Sequence, residues 1–535
     1  MRSHFPKSLF LILSGLLIAA GTAQAEIIPS TDLNTRANFA DTIVKMAERL
    51  SHSQFVDGSE DLPASFRNLS YDDYRDIRFR PEKTLWQREG IPFTIRFFHR
   101  GFYFKKKVAF NVIENGGVKR IHYSKNFFNF GKNTAKCADY GEAESAKPDQ
   151  GFAGFQIFYP LVEHGEHREV VAFLGASYFR AAGRNQSYGL SARGVAINTG
   201  MPFPEEFPYF REFWIEKPEQ EAKSITVHAL LDGPSLTGAF RFIIYPAHEP
   251  NSAVLFDITA TLFARKNIAR IGLAPLTSMH FQGKCQSRHF DDFRPEVHDS
   301  DGLLMDTGEN EWLWRPLINP GSVRINTFSD QNPKGFGLFQ RERLFDHYQD
   351  LEANYHHRPN AWVEAVGHWQ RGAVHLVQIP SHTELNDNIV AFWTPENPVQ
   401  AGDRLQYAYR IRFSLDDPNY PPGSRVLATR TGQGGIYREP SPDDRQIIRQ
   451  FIIDFSGKSL RDYLRRHPEQ PIEAVLSATT GRIRNKVVQE NAYTGTWRVS
   501  FEFLPIGNTP SELRCFIKSA KDALSETWTF LWTAQ

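Results

Sequence analysis

The sequence predicts an all-β protein: a large antiparallel sandwich or barrel-like unit, followed by a small immunoglobulin-like sandwich. Three observations support this prediction. Short segments of alternating apolar and polar residues recur along most of the chain, long helical periodicity is scarce, and strands do not alternate with helices as in parallel α/β folds. Aromatic residues make up 13% of the 535 residues, with 43 Phe and 10 Trp, and such side chains fill large β cores.

The first 25 residues have the pattern of a secretory signal peptide. A basic start precedes an apolar run from Leu9 to Ala20, and Ala23-Gln24-Ala25 supplies a small-x-small cleavage site. The apolar run is shorter than the ~20 residues that span a bilayer, although an uncleaved membrane anchor is the alternative. Because the segment has no twin-arginine pair, we expect Sec-type export and cleavage near Ala25-Glu26.

The mature chain is predicted to begin with one helix and to continue as strands. Phe39, Ile43, Met46 and Leu50 recur at helical spacing within residues 36–50. After them, residues 93–97 and 102–104 are expected to form a hairpin around Gly101. Further strands are predicted at residues 225–227, 240–242, 256–259 and, most clearly, 405–413, where five apolar residues alternate with polar ones.

A domain boundary is predicted at residues 416–424, where prolines, a glycine and acids follow one another and oppose both helix and sheet. It separates a large unit, residues 26–415, from a small one, residues 425–535. The small unit contains four predicted strands, at residues 451–455, 497–501, 513–517 and 528–530. This size and strand count are typical of an immunoglobulin-like sandwich.

Charge, cysteines and motifs exclude several function classes. The 62 basic residues nearly balance 61 acidic ones without a dense basic run, so nucleic acid is not an expected partner. Cys137, Cys285 and Cys515 form no CxxC and allow at most one disulfide. Gly189–Gly194 departs from GxSxG because Arg193 replaces the second glycine. The histidines lack zinc-hydrolase spacing and no nucleotide-binding loop occurs, so no metal or cofactor is predicted.

Two acidic segments remain as candidates for chemistry. One contains His298-Asp299-Ser300-Asp301-Gly302, and the other contains Asn386-Asp387-Asn388. Glycosidic cleavage needs an acid to protonate the leaving oxygen and a second carboxylate to activate water or attack the sugar. Five tryptophans lie between Trp312 and Trp393, and sugars stack on aromatic rings, although β cores use them too. Both segments also fit capped turns, so spacing alone makes Asp299 and Asp387 candidates only.

At these residues the chain resembles the periplasmic glucan biosynthesis proteins G and D, which serve osmoregulated periplasmic glucan production in Gram-negative bacteria. The His-Asp-Ser-Asp-Gly sequence is more similar to form D. The likeness extends from about residue 55 to Trp528. The segments that carry it are Gly151–Phe155, Leu174–Arg180, Tyr188–Gly194, Glu212–Glu216, Ala274–Met279, Arg294–Gly302, Glu311–Pro316 and Asn386–Trp393.

The resemblance implies a galactose-mutarotase-like N-terminal β-sandwich, a periplasmic location and an inverting enzyme that acts on linear β-1,2-glucan. It implies that Asp387 is the general acid and that Asp299 is the general base, which reaches the attacking water through a proton relay. Glucose units are expected to be held by residues in the matching segments and groove: Tyr355, Arg358, Glu384, Asp301, Trp312 and Trp314.

Three functions stay open at this point. The first is hydrolysis of the glucan or transfer of its glycosyl group to another sugar, two outcomes that compete for one site. The second is a non-catalytic binding or scaffold protein that receives glucan from an inner-membrane synthase. The third is a structural β-sandwich without a sugar ligand. The sequence does not predict an oligomeric state.

Overall fold

The computed structural model describes residues 36–139, 149–161, 165–247, 252–286, 290–415, 420–421, 423–435 and 448–534. The predicted signal peptide, residues 1–25, lies outside the described residues, as do residues 416–419 and 422 of the predicted linker. Among the helices that are described, none combines the length and apolar character needed to cross a membrane.

Strands dominate the structure, with 48% of residues against 11% in helices, so the predicted all-β class is confirmed. The α-helices are α1 (Arg36–Ser51), α2 (Ala64–Arg67), α3 (Tyr71–Arg75) and α4 (Lys458–Arg466), and 3₁₀ helices lie at Pro81–Lys83, Lys125–Phe127, Gly131–Asp139, Phe345–His347 and Tyr355–His357. The first strands are β1 (Arg78–Phe79), β2 (Thr94–Phe98), β3 (Ala109–Glu114), β4 (Gly117–Ile121), β5 (Phe128–Asn129), β6 (Gly154–Pro160), β7 (His167–Leu174), β8 (Tyr178–Ala181), β9 (Ser191–Arg193), β10 (Val195–Ile197), β11 (Tyr209–Glu216), β12 (Ile225–Asp232), β13 (Leu236–Tyr245), β14 (Val254–Ala264), β15 (Ile271–Ser278) and β16 (His280–Gln282).

The strands of the second half begin just before the first acidic segment. They are β17 (Val297–His298), β18 (Gly302–Asp306), β19 (Trp312–Pro316), β20 (Arg324–Gln331), β21 (Gly335–Phe339), β22 (Asn360–Val366), β23 (Arg371–Gln378), β24 (Ile389–Pro395), β25 (Arg404–Ser414), β26 (Val426–Gln433), β27 (Arg449–Phe455), β28 (Glu473–Ala478), β29 (Arg482–Asn491), β30 (Thr496–Leu504), β31 (Ser511–Ser519), β32 (Asp522–Ala523) and β33 (Thr527–Trp532).

Two large sheets enclose the main core. The ten-stranded sheet has the order β2-β6-β7-β8-β9-β15-β24-β23-β20, with β10 also paired to β15. The fifteen-stranded sheet has the order β28-β31-β33-β19-β18-β21-β22-β25-β14-β13-β12-β11-β3-β4, with β32 paired to β31. Phenylalanines meet between the sheets: the Phe173 ring lies 5.4 Å from that of Phe213, and the Phe179 ring lies 5.4 Å from that of Phe242. The large unit is therefore a β-sandwich.

The long sheet continues across the predicted domain boundary. β33 pairs in parallel with β19 through Leu313 opposite Thr527 and Trp314 opposite Trp528. A four-stranded sheet, β26-β27-β30-β29, packs on this C-terminal part, where Phe451 and Phe501 contact Trp528. All four strands predicted after residue 425 are present. The boundary itself stays a prediction, and a hydrogen-bonded sheet joins the two sides.

Two local predictions near the N-terminus have opposite outcomes. Helix α1 is confirmed, and it buries Phe39 and Ile43 on the outer face of the long sheet against Trp214 and Phe263. The prediction of a hairpin around Gly101 is wrong. β2 pairs with β6 instead, and the chain after Gly101 makes a tight turn in which Phe102 has a positive φ of 52°. This backbone conformation cannot continue a strand.

The cysteines of the described core form no disulfide with each other. Cys285 and Cys515 are both buried free thiols, and the side chain of Cys137 lies outside the described set. Burial raises the pKa of the Cys285 thiol to about 12, so this thiol stays protonated and unreactive at neutral pH.

Candidate active site

The two predicted acids lie on segments that hydrogen bonds tie together. Asp299 follows β17, and its N–H donates to the Met279 carbonyl at 2.8 Å. Asn388, next to Asp387, accepts a bond from the His280 N–H at 2.8 Å and donates to the His280 carbonyl at 3.0 Å. Because Met279 and His280 are consecutive, both acidic segments are anchored at the same point of the chain.

The environments of the two acids differ. Asp299 is 4% exposed and its carboxyl contacts the Arg358 guanidinium, whereas 28% of the Asp387 side chain is exposed. Burial raises the pKa of Asp299 above its ordinary value, the guanidinium of Arg358 opposes this, and the charge of Asp387 raises it further. The two carboxyls are therefore close enough to interact electrostatically.

Arg358 and Tyr355 connect Asp299 to Glu384. The Arg358 guanidinium lies over the Tyr355 ring, 4.2 Å from the centroid, and contacts Asp299. The Tyr355 hydroxyl donates to Glu384 Oε2 at 2.7 Å, and Arg294 Nη1 donates to the same oxygen at 2.8 Å. The structure therefore brings together Asp299, Asp387, Tyr355, Arg358 and Glu384, and this set is called the acidic site below.

A buried histidine, His298, is linked to the acidic site through the side chain of Gln340. His298 is completely buried, with Nδ1 2.6 Å from Gln340 Oε1 and Nε2 3.0 Å from Glu296 Oε2. The Gln340 amide donates to the carbonyls of His298 and Tyr355, which leaves its oxygen as the acceptor for His298. Both ring nitrogens therefore face acceptors, which requires the doubly protonated imidazolium. Burial lowers the pKa of His298, but the bond and charge of Glu296 outweigh burial and raise it.

Glu296 also belongs to a buried ion cluster. Its Oε1 lies 3.2 Å from Lys284 Nζ and 3.1 Å from His347 Nδ1, and Glu342 contacts the same two groups. One ligand atom each from Glu296, Glu342 and His347 lies within 4.8 Å of the others, which is the spacing of a metal-ligand set. The Lys284 ammonium already supplies the positive charge that these two carboxylates need.

Several residues next to Asp387 were not among the predicted site residues. Arg180 Nη2 lies 3.9 Å from Asp387 Oδ2, and the charge of Asp387 acts on Tyr178, whose pKa is raised to about 12 mainly by burial. The Arg193 guanidinium lies 4.6 Å from the Tyr178 ring centroid and 5.5 Å from that of Phe207. The paired basic and aromatic residues in segments 174–180 and 188–194 were the available signal.

Gly189 explains how Arg358 reaches this position. A Cβ atom at residue 189 would lie 2.8 Å from the Arg358 Cβ, closer than side-chain atoms pack. The segment that contains Gly189 therefore forms one wall beside Arg358, and only glycine leaves room for it. The same segment ends at Arg193, beside Tyr178.

The structure does not bring the other three predicted binding residues to the acidic site. Trp314 is 3% exposed beneath the Arg341 guanidinium, at 3.5 Å, and Trp312 stacks on Trp362 at 5.8 Å. Both tryptophans pack in the C-terminal core cluster. Asp301 accepts bonds from the N–H groups of residues 341 and 342, and burial raises its pKa. These contacts explain all three residues as packing and loop-anchoring groups, so their substrate-binding role gains no support.

Relatives of this chain are named for glucan biosynthesis. "Probable glucans biosynthesis protein D" of Shewanella oneidensis is 42% identical over 91% of this chain and 87% of the relative. "Glucans biosynthesis protein G" of Vibrio cholerae is 41% identical over 92% and 86%, and that of Rhodopseudomonas palustris is 42% identical over 93% and 94%. These identities do not separate form D from form G, so the greater likeness to form D stays a prediction.

A family model covers nearly the whole described chain. The model described as "Periplasmic glucan biosynthesis protein, MdoG" matches residues 39–532, from helix α1 to the last strand. The match includes both acidic segments and strands on both sides of the predicted boundary. The predicted resemblance is confirmed, and the chain belongs to the periplasmic glucan biosynthesis protein family.

Proposed function

We propose that this protein is a periplasmic enzyme that cleaves or transfers β-1,2-linked glucan, with Asp387 as general acid and Asp299 as general base. The observation that carries the proposal is a pair of carboxyls in one site with opposite environments: Asp299 is buried and Asp387 is partly exposed. Carboxyl pairs with divergent environments are the usual arrangement for acid–base catalysis.

Asp387 is suited to protonate a leaving oxygen. It lies in the loop before β24, where 28% of its side chain is exposed and Arg180 Nη2 lies 3.9 Å from its Oδ2. An exposed carboxyl in a loop can come within hydrogen-bond reach of the glycosidic oxygen of a bound sugar chain, which general-acid catalysis requires.

Asp299 is suited to act as a base. Burial raises its pKa, which makes it a stronger base than an exposed aspartate, and the Arg358 guanidinium opposes this rise. Because only 4% of Asp299 is exposed, its direct contact with the attacking water is restricted, and a proton relay carries the proton from that water to Asp299. Inversion then follows from water attack on the face opposite to the leaving group.

The surrounding residues fit a sugar chain. Glu384, with 33% of its side chain exposed, offers carboxylate oxygens to sugar hydroxyls, and the buried Tyr355 positions it by donating to Oε2. Half-exposed Phe207 extends an aromatic and basic row from Tyr178 through Arg193. Aromatic faces and charged hydrogen-bond groups together are the usual elements of a carbohydrate site. We propose linear β-1,2-glucan as the ligand and the inner-membrane glucan synthase as the source of that glucan.

Product analysis with site variants tests this proposal. The full mature protein is incubated with linear β-1,2-glucan, and chain lengths and linkages are resolved by mass spectrometry and NMR. Asp387→Asn and Asp299→Asn are each expected to lower product formation by about 10²–10⁴-fold. Asp522→Asn, an exposed aspartate on β32, is the matched control and should keep full activity. Unchanged glucan with the wild-type protein would refute the enzymatic role.

The same experiment separates the enzyme from the scaffold alternative. A scaffold leaves glucan unchanged, yet it still binds it, which tryptophan fluorescence or calorimetry detects. The product anomer and the appearance of new linkages then distinguish hydrolysis from glycosyl transfer. New branched or cyclic products support transfer, and shorter linear products with inverted anomeric configuration support hydrolysis.

A further inference from the structure

A large cavity is lined by residues from both sides of the predicted boundary, and the residues of the acidic site do not line it. Its volume is about 1010 Å³. One wall is formed by residues 318–324 and 380–382, and the other by Thr431, Arg449, Phe451 and the last strand with the residues after it, 530–534. Cavities of this size accommodate drug-sized ligands.

The walls of this cavity are largely apolar. Ile318 and Val323 contribute from the side of the large unit, and Phe451, Phe530 and Leu531 from the side of the small unit. Val323 lines the cavity and is 52% exposed, although it is a large apolar side chain. Such a surface favours a ligand with an apolar body.

Two arginines line the same cavity, and among the described residues neither has an acidic partner. Arg324 of β20 donates to the Thr533 hydroxyl, and Arg449 of β27 donates to Thr431 Oγ1 at 3.2 Å. No ion pair joins either guanidinium to a carboxylate of the described residues. Burial lowers the pKa of both arginines, because a half-buried guanidinium loses part of its hydration.

Two other arginines at the contact between the large and small units do form ion pairs with carboxylates. Arg315 pairs with Glu512, and Arg341 pairs with Glu526, so each buried charge there has its own carboxylate. Half-burying a guanidinium without a carboxylate costs free energy, and an anion that fills the cavity would remove that cost. Guanidinium groups bind phosphate and carboxylate oxygens with paired hydrogen bonds.

We propose that the cavity binds a small amphiphilic anion, with a phosphate or carboxylate head held by Arg324 and Arg449 and an apolar body packed between Val323, Phe451 and Phe530. The site is separate from Asp299 and Asp387. It shares one loop with the acidic site, since Ser381 and His382 at its edge precede Glu384. Its occupation does not depend on cleavage of glucan.

Isothermal titration calorimetry on the full mature chain tests the proposal with four probes. Octyl phosphate and octanoate carry both elements of the ligand, inorganic phosphate carries only the head, and octyl β-glucoside carries the same alkyl chain on a neutral sugar. At least one of the two amphiphilic anions is expected to bind one molecule per chain. Its affinity should exceed that of inorganic phosphate and of octyl glucoside by about tenfold or more. The stronger of the two anions identifies the headgroup.

Variants assign the binding to the two arginines. Arg324→Gln and Arg449→Gln are each expected to weaken binding of the amphiphilic anion by about tenfold or more. Arg449→Lys keeps the charge and should lie between the wild type and Arg449→Gln. Arg482→Gln, at an exposed position on β29, is the matched control. Melting temperatures measured without ligand confirm that each variant is folded, and Arg449→Lys serves if Arg449→Gln is not.

Three results would overturn the proposal: no binding of either amphiphilic anion up to roughly 1 mM, equal affinity for octyl glucoside, or binding that both arginine variants leave unchanged. Asp387→Asn should bind the anion as the wild type does. Failure of this proposal is therefore distinguishable from failure of the proposed glucan chemistry, which only the product analysis tests.

Discussion

The Arg358 guanidinium contacts the buried Asp299 carboxylate while its flat face covers the Tyr355 ring at 4.2 Å. One side chain thus holds the charge of the proposed base and the position of the tyrosine that donates to Glu384. A planar group with several donors can do both at once, and a lysine ammonium cannot. The geometry of the acidic site therefore depends on arginine at this position.

Replacing Arg358 by Lys is expected to reduce glucan product formation by about 10²-fold, because the base and Tyr355 lose their common support. Weaker pairing also raises the pKa of Asp299, since the charge of Arg358 lowers it in the wild type. The acidic limb of the kcat/KM profile should therefore move to higher pH. Arg371→Lys, on a 70%-exposed side chain, is the control. An unmoved acidic limb would contradict this role of Arg358.

Replacing Gly189 by Ala is expected to lower activity without unfolding the protein. The new Cβ would lie 2.8 Å from the Arg358 Cβ, so the Arg358 backbone or side chain must shift. Displacement of about 1 Å at a catalytic group costs ~10² in rate. Activity assays and thermal melts together check this, with Gly432→Ala as control because its Cβ meets no atom within 4 Å. Equal activity of both variants would show that this contact has no role in catalysis.

The buried Glu296 is expected to make the folding stability of the protein depend on pH in the acidic range. Although burial raises its pKa, the bond and charge of His298 and the charge of Lys284 lower it to about 2, below the ordinary 4.5. A carboxyl with a depressed pKa stabilises the folded state at pH values above its ordinary pKa. This stabilisation is lost as the pH falls from the ordinary pKa toward about 2. Glu296→Gln should therefore be less stable than the wild type at pH 7, and this difference should shrink below about pH 4.5. Urea unfolding midpoints across this range test it, and a constant difference would contradict it.

The junction of the two units is expected to depend on the buried pair of Arg341 and Glu526. Arg341 Nη2 donates to Glu526 Oε2 at 2.9 Å, their side chains are 5% and 0% exposed, and Arg341 also covers Trp314. Arg341→Met leaves the Glu526 charge buried and should lower the free energy of unfolding by about 3–5 kcal/mol. Arg371→Met breaks only an exposed pair with Glu396 and should cost about 0–1 kcal/mol in the same urea titrations. Similar losses in both variants would contradict this view of the junction.

The local pattern of apolar and polar residues correctly predicted individual strands and one helix. The alternation at residues 405–413 became β25, with Ile411 and Phe413 fully buried, and the helical spacing after residue 36 became α1. The hairpin at Gly101 could not be predicted in this way, because the partner of β2 is β6, more than 50 residues further along the chain. Pairing between distant strands is decided by how both sheets close around the core.

The sequence, through the family resemblance, also predicted an acidic site, since the candidate carboxyls occur in two short segments that the resemblance identifies. Only the tertiary structure decided which partners surround them. Arg180 and Arg358 reach the acids from segments that lie far apart in the chain, through the pairing of β8, β9, β15 and β24 and the turn at Tyr355. The tertiary structure likewise placed Trp314 in the core. The exposure of an aromatic ring depends on which face of the sheet the ring occupies and on what packs against that face.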